Sequence, residues 1–487
     1  MGYRSFYFIF CFIFFNKAYC QSNIDSVFFS FKNLKYIGKS KISFCVVDLD
    51  SGNTVFSYKD SLTLPVASIM KVFTTASGYE ILGRDYAPST SFFSDKIIDK
   101  DGVLNGDLFV KGGADISIGS YYFNKEDSVL FSLDTFVNVL YRKGLRTLNG
   151  NLIGDGSSFG YKGLLNGWFP SDAGNYYGAI PSGLSIYDNS LRFYFNVKKP
   201  NTVPVLDSIF PKVSGLKFSN FLLSRNGVGD GSFIQGLPFN LDRIAKGFLE
   251  SDTPKMLVKG SLPDPEFQFM EELKNAFFRK GIVVNGFIQT IRLNSLNQFN
   301  NMGYDSLVEL ASVKGRNLND VVYWTNLKSV NVFAESIVSW IANEKTSQGS
   351  VSNGAKYIKQ YWDKYFDLSN SVFSDGSGLS SYNRLSARNF CDLLTHVQGS
   401  SYLFDFESSL PIAGKTGTLK SFCLGQPAEG NVKAKSGTMK NVKSFAGYVY
   451  TKSGKKLAFT IIVNNFNCSS SQLVKKIEPI MNALYLY

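Results

Sequence analysis

A single histidine, His396, stands in 487 residues. That scarcity leaves a Ser-His-Asp hydrolase or a multi-histidine metal site almost nothing to work with. His396 lies in the apolar stretch from Phe390 to Val397 and reads as a packed helical residue. Any hydrolytic chemistry therefore needs another base, and lysine is the candidate. Cysteine is sparse as well: the 6 thiols form no C-x-x-C pair, which excludes a zinc ribbon and a disulfide-dense framework. One bridge among Cys45, Cys391, Cys423 and Cys468 stays open. Beyond the first residues no apolar run is long enough to span a bilayer. There is no internal repeat, no low-complexity tract, and no compositional bias toward disorder, collagen or a coiled coil.

What is there can bury a sizeable core: 44% of residues are hydrophobic and 15% aromatic, against 18% charged. The length exceeds one ordinary domain, so two or three are expected. Arg4 precedes an unbroken apolar run from Phe6 to Phe15 and a polar stretch ending Ala18-Tyr19-Cys20 before Gln21. The run is too short to cross a membrane and fits the core of a secretory signal peptide over 1–20. Lipidation of Cys20 competes with that reading, but a lipoprotein signal wants a small residue just before the cysteine, and Tyr19 stands there. The expectation is an exported, periplasmic protein, soluble or in peripheral contact with the membrane. Its formal charge of +12 would suit nucleic acid, an anionic membrane or an anionic polymer. Export removes nucleic acid, and the scattered lysines are compatible with an anionic wall polymer.

From Ile42 to Val47 and from Thr54 to Tyr58 the chain reads as a hairpin about Asp50-Ser51-Gly52-Asn53. After Pro65, the apolar positions Ile69, Val72, Phe73 and Ala76 recur at helical spacing, with Ser68 at the head and Gly83 past the end. From about Ala87 to Leu307 the texture turns to short strands such as Gly106 to Val110 and Leu191 to Val197, with helical spacing at Glu266 to Phe278 and again from Leu307 to Val313. Val432 to Met439, Ser444 to Tyr450 and Leu457 to Asn464 read as three strands, and Ser471 to Leu484 as a closing helix. The pattern predicts one α+β domain, 21–90 and 306–487, whose antiparallel sheet is built from both ends of the chain. The β-rich middle, 91–305, is inserted as one or two domains; if two, the second covers about 170–255.

Three short motifs carry candidate chemistry: Ser68-Ile69-Met70-Lys71, Ser329-Val330-Asn331 and Lys435-Ser436-Gly437. They match the S-x-x-K, S-x-N and K-[ST]-G set of penicillin-recognising acyl-serine enzymes. Each alone is weak. S-x-x-K recurs at Ser214/Lys217 and Ser453/Lys456, S-x-N at Ser51, Ser224, Ser295 and Ser381, and K-[ST]-G at Lys415 and Lys452. Context separates them. Ser68 heads a helix, where backbone N-H groups can stabilise an oxyanion, and the three-residue spacing brings the Lys71 amine beside its hydroxyl. Burial, the helix end and a second cation would each lower the basicity of Lys71 into a useful range. Ser329 precedes an apolar helix running through Ile341. Lys435 begins a strand whose hairpin partner follows at once, as an edge strand that pairs with an extended peptide requires. Lys415 is followed by a stretch rich in glycine and proline, and Lys452 lies in a turn. The plain alternatives are an ordinary helix cap for Ser68 and for Ser329.

With these residues the chain resembles the D-Ala-D-Ala carboxypeptidase/endopeptidase family of low-molecular-mass, class C penicillin-binding proteins. More than half of the chain separates Ser68 from Ser329, like that family's habit of inserting two domains there. Gly106 to Gly113, Trp168, Tyr177-Gly178-Ala179, Ser182, Asn189, Asp375-Gly376-Ser377-Gly378-Leu379-Ser380 and Arg384 also resemble it, as does Gly414-Lys415-Thr416-Gly417-Thr418-Leu419, a G-x-x-G-T-L segment found before the true third motif. Ser436 departs mildly, standing where threonine is commoner. The resemblance implies a penicillin-binding, β-lactamase-like transpeptidase fold. It implies hydrolysis of peptidoglycan peptides ending in D-Ala-D-Ala through an acyl-serine intermediate, inhibition by β-lactams, and no metal or cofactor. By the same resemblance Ser68 is the nucleophile, Lys71 its base and Ser329 the proton relay. Asn331 holds the substrate amide, Lys435 with Ser436, Gly437 and Thr438 binds the substrate, Lys435 lowers the Lys71 pKa, and the N-H groups of Ser68 and Thr438 form the oxyanion hole. A β-lactamase or esterase of the same fold, and a non-catalytic peptidoglycan-binding protein, are the rival readings.

Overall fold

Residues 24–123, 129–294, 303–346 and 349–487 are described by the computed structural model; the segment read as a signal peptide, with Cys20, lies outside them. The chain divides into two compact units. Of the described residues, one takes in those up to Glu80, Val322–Ser329 and Ile358–Tyr487, and the other those within Ile81–Val321 and Val330–Tyr357.

The first unit is organised on five antiparallel strands: β1 (Lys41–Asp48), β2 (Thr54–Tyr58), β3 (Val432–Met439), β4 (Val442–Tyr450) and β5 (Lys456–Asn464). Their order is β3-β4-β5-β1-β2, so the two ends of the chain meet where β5 pairs with β1 along its whole length, from Lys41 opposite Asn464 to Asp48 opposite Leu457. β1, β4 and β5 read as nearly continuous apolar runs because both faces of the sheet are covered. On one face Phe44, Val46, Phe459 and Ile461 pack with Phe28, Leu473, Ile477 and Ile480. On the other, Cys45 and Val47 meet Ala387 and Cys391 of a helix Ala387–Gln398, whose first turn is closed by a Ser386/Asn389 capping box. The closing helix, Ser470–Tyr485, starts on the same device at Ser469 and Gln472.

The second unit carries the inserted segment as four sheets. Five strands run in the order Ile288–Thr290, Leu152–Asp155, Leu108–Gly112, Ser89–Ser94 and Val308–Lys314, and there are three further sheets of three strands each. The helix Pro265–Lys280 buries Phe269, Leu273 and Phe277 with Phe92, Leu108 and Leu152. Asp264 caps it by accepting from the Phe267 N-H, and Gly281 ends it at a left-handed φ of 81°.

Two local expectations are corrected. The helical spacing read from Leu307 to Val313 is a strand, Val308–Lys314, paired antiparallel with Ser89–Ser94 through a bulge between Glu309 and Ala311. Seven residues are too few for periodicity to separate a half-buried strand from a helix, and the open edge of the sheet decides it. A helix, Val129–Arg142, also stands inside what reads as β texture.

Candidate active site

Ser68 does not lie in the first turn of the α-helix as expected but in a 3-10 turn, Ala67–Ile69, that runs into α1 (Met70–Leu82). The cap position belongs to Val66, which makes no side-chain cap bond, so Ser68 is not an ordinary N-cap. Ala67 is held at φ 53°, a left-handed conformation that costs a β-carbon-bearing residue on the order of 1 kcal/mol. What holds it is a close approach from the loop of Asp375 to Ser380: a β-carbon on Gly378 would lie 1.9 Å from the Ala67 carbonyl oxygen. The loop is itself braced. Asp375 accepts from the N-H groups of Gly378 and Ser380 and from Asn383 Nδ2 at 2.8, 2.6 and 2.6 Å.

Lys71 is fully buried. Its Nζ donates to the Ser377 carbonyl at 2.7 Å and to Ser68 Oγ at 3.2 Å, so the ammonium is aimed at the serine by a backbone acceptor on the other side. One turn on, Thr74 Oγ1 donates to the Gly376 carbonyl at 2.6 Å, tying the same loop to α1. Asn326, fully buried, donates to Thr75 Oγ1 and Ser409 Oγ.

The third motif reaches this turn through β3. Gly437 lies opposite Ser444, whose Oγ donates to the Val66 carbonyl at 2.6 Å. A β-carbon on Gly437 would stand 2.8 Å from that carbonyl oxygen and 2.9 Å from the Ser68 nitrogen, so glycine is what allows β3 to close on the serine turn. Lys435, also fully buried, donates from Nζ to Ser329 Oγ at 2.9 Å and to the Ser436 carbonyl at 2.8 Å. Burial first, and then the Lys71 and Lys443 ammonium groups, hold Lys435 well below the usual lysine range. Ser329 follows the pattern of Ala67: a non-glycine residue at φ 59°, turned so that its hydroxyl meets Lys435. It is not a cap either, since the next helix, α2 (Asn331–Lys345), has Val330 at its N-cap.

β3 is the end strand of the sheet. The bridge of Ile412 to Lys433 covers only its start, which leaves Lys435 to Thr438 along an edge suited to an extended peptide. Ser436 Oγ donates to Thr418 Oγ1 at 2.9 Å and Thr438 is exposed.

The structure thus brings Ser68, Lys71, Ser329, Lys435, Ser436, Gly437 and Thr438 together in the first unit. Asn331 heads α2 in the second unit, where its Nδ2 donates to the Tyr177 carbonyl at 2.8 Å. His396 takes no part. Its Nε2 lies 2.9 Å from Glu80 Oε1, packed on Trp362 and Tyr365, and Glu80 is roughly 18 Å along the helix from Ser68 at 1.5 Å per residue. Lys415 lies in a turn region followed by the short turn Gly417–Leu419. Among the described residues no three His, Cys, Asp or Glu side chains gather as a metal site would require.

Sequence reasoning passed over Ser377, Asn326, Thr418 and Ser444 as parts of this constellation. Asp375 to Ser380 and Thr418 sat inside quoted stretches without an assigned part, and Asn326 and Ser444 act through neighbours distant in sequence, which no local pattern reveals.

Comparison with known proteins gives the family and the fold. The family model described as the D-Ala-D-Ala carboxypeptidase 3 (S13) family matches residues 22–484. A D-alanyl-D-alanine carboxypeptidase from Actinomadura sp. is 27% identical over 432 residues, 86% of this chain and 77% of that one. The carboxypeptidase DacB of Haemophilus influenzae is 22% identical over 92% of both chains. The crystal structure of penicillin binding protein 4 from Haemophilus influenzae superposes with a TM-score of 0.76 at 21% identity, covering 92% of this chain and 97% of that one.

Proposed function

The chain belongs to the D-Ala-D-Ala carboxypeptidase 3 (S13) family and is a serine-type peptidase of that class, in which we propose that Ser68 is the nucleophile, Lys71 its general base and Ser329 the proton relay. One observation carries the reading: two buried lysines each hold a serine hydroxyl, Lys71 to Ser68 at 3.2 Å and Lys435 to Ser329 at 2.9 Å. A lysine amine in its neutral form, within hydrogen-bond reach of a hydroxyl, is the base that activates a serine where no histidine serves.

On this reading Ser68 Oγ attacks the carbonyl of the penultimate D-alanine as Lys71 takes its proton. The N-H groups of Ser68 and Thr438 receive the negative charge of the tetrahedral intermediate. Ser329 relays the proton taken up by Lys71 to the nitrogen of the departing D-alanine, leaving the peptide as an ester on Ser68, and water then attacks that ester and regenerates the hydroxyl. Lys435, with the Ser436 and Thr438 hydroxyls, binds the terminal carboxylate along β3. Gly437 lets the strand approach, and Asn331 holds a substrate amide. The substrates are peptidoglycan stem peptides and cross-links, a penicillin acylates Ser68, and the protein works after export, in the periplasm.

The test is incubation with a labelled penicillin followed by peptide mapping, alongside hydrolysis of purified muropeptides resolved by product. A stable label on the peptide that contains Ser68, lost in Ser68→Ala together with D-alanine release, is expected. A label elsewhere overturns the nucleophile assignment. Rapid turnover of the penicillin without a lasting adduct would make the protein a β-lactamase of this fold.

A further inference from the structure

A third buried lysine lies beside this site and has no part in the mechanism above. Lys443 is on β4, 9% exposed, and no carboxylate pairs with it among the described residues. Its Nζ donates to Thr438 Oγ1 at 2.7 Å. The register explains the meeting: β3 and β4 are joined through Lys440 and Asn441, Met439 pairs with Val442, and Thr438 with Lys443. Alternation then puts Ser436, Thr438, Phe445 and Lys443 on one face of the hairpin, with Lys435 and Gly437 on the other, toward the serine turn.

We propose that Lys443 is a positioning residue for substrate specificity: it fixes the Thr438 hydroxyl as a donor toward the terminal carboxylate of the peptide and adds a second cation to the field along β3. The proposal rests on the reading above, in which Thr438 contacts that carboxylate. The argument is one of proton direction. An ammonium has only donors, so a hydroxyl bonded to it must accept, and its own hydrogen is left for another acceptor. A carboxylate lying along β3 is such an acceptor, and the charge-assisted bond favours it over a neutral amide.

The buried ammonium is costly, which makes the device sensitive to pH. Burial lowers Lys443 to about 8. Among the described residues Lys443 couples to Lys435 on β3, itself beside Lys71; opposite Lys443 on β5 is Val463, and on its own strand the Phe445 ring centroid lies 5.0 Å from Nζ. Neither of these two titrates. Above about pH 8 the neutral amine gains a lone pair and can take the Thr438 proton for itself, which withdraws the donor from the substrate. Preference for a carboxylate terminus is therefore present below that pH and fades above it.

Binding is measured on the full chain carrying Ser68→Ala, which needs no turnover, so its outcome is independent of whether Ser68 is the nucleophile; penicillin labelling decides that question separately. The probes are an N-acylated peptide ending in D-Ala-D-Ala and the same peptide with a C-terminal amide. Lys443→Met is expected to reduce the carboxylate-over-amide preference by about tenfold or more. Lys443→Arg should retain it, and should lose less of it than the lysine form does between pH 7 and pH 9.5. A Lys443→Met protein with a native circular-dichroism spectrum and an unchanged preference overturns the proposal. Should the methionine form fail to fold, the pH series decides: the same alkaline loss in the lysine and arginine forms overturns the proposal equally.

Discussion

Lys435 and Lys443 are lysines held away from water, with no carboxylate paired to them among the described residues, and each makes the folded state depend on pH. For both, the folded-state pKa is depressed. Between about 8 and the unfolded-chain value of about 10.4, the unfolded chain therefore carries a proton on Lys443 that the folded chain has released. Stability contributed by this lysine is then gained as pH rises through that window, and is absent below it. The expected result is that Lys443→Met is more stable than the native chain at pH 7.5, by on the order of 1–3 kcal/mol, and that the difference narrows toward pH 10. Urea midpoints of the two proteins at the two pH values would measure it; a difference that does not change with pH removes Lys443 as the cause. The left-handed conformations of Ala67 and Ser329 belong to the same scale. Each places a serine hydroxyl, Ser68 just after the strained residue and Ser329 within it, at the position its lysine reaches.

At the scale of elements, the site is where α1, β3 and the loop of Asp375 to Ser380 are pressed together, and two glycines set how closely. Gly378, at φ 81°, faces the Ala67 carbonyl, and Gly437 faces the turn of Val66 to Ser68. Gly378→Ala should destabilise the first unit by about 2–4 kcal/mol, from a β-carbon in a left-handed backbone and from overpacking. It should also slow acylation by a labelled penicillin far more than the loss of folded protein explains, because the backbone that must give way is that of Ala67, the residue before Ser68. Gly437→Ala tests the opposite wall, with slowed acylation expected at an unshifted Gly378 loop. Acylation rates per folded molecule, alongside denaturant titrations, separate the two effects. Either variant acylating at the native rate would mean that the contact does not position Ser68.

For the whole molecule, the relevant quantities are charge and length. A formal charge of +12 on scattered lysines gives a diffuse attraction toward anionic polymers that salt screens over about 10 Å at 0.1 M. Co-sedimentation with purified anionic sacculi is expected to fall steeply between 50 and 500 mM salt, while hydrolysis of a small neutral-stem peptide changes little. Retention that salt does not weaken would point to specific contacts instead. No helix among the described residues is long and apolar enough to cross a membrane.

Much of the fold and site was legible without coordinates. The hairpin at Lys41 to Tyr58, the three strands from Val432 to Asn464 and the closing helix follow local patterns of apolar residues and turn chemistry, and their shared sheet follows from both chain ends being strand-rich. Ser68, Lys71 and Lys435 were selected over repeated decoys because a serine near a helix start and a lysine opening a hairpin strand are local facts. The lone His396 likewise excluded a histidine base before its partner Glu80 was known. Other features depended on contacts that no local window contains. The strand at Val308–Lys314 is specified by the free edge of Ser89–Ser94, and the 3-10 turn at Ser68 by the approach of Gly378 from more than three hundred residues away. The brace of Ser444 on Val66, the hold of Ser377 on Lys71 and the bond from Lys435 to Ser329 are of the same kind. Sequence determined which residues are candidates for the proposed chemistry, because that is a property of side chains and short spacings. Tertiary structure alone decided which of them meet, because a buried lysine finds its acceptor wherever the packed backbone places one.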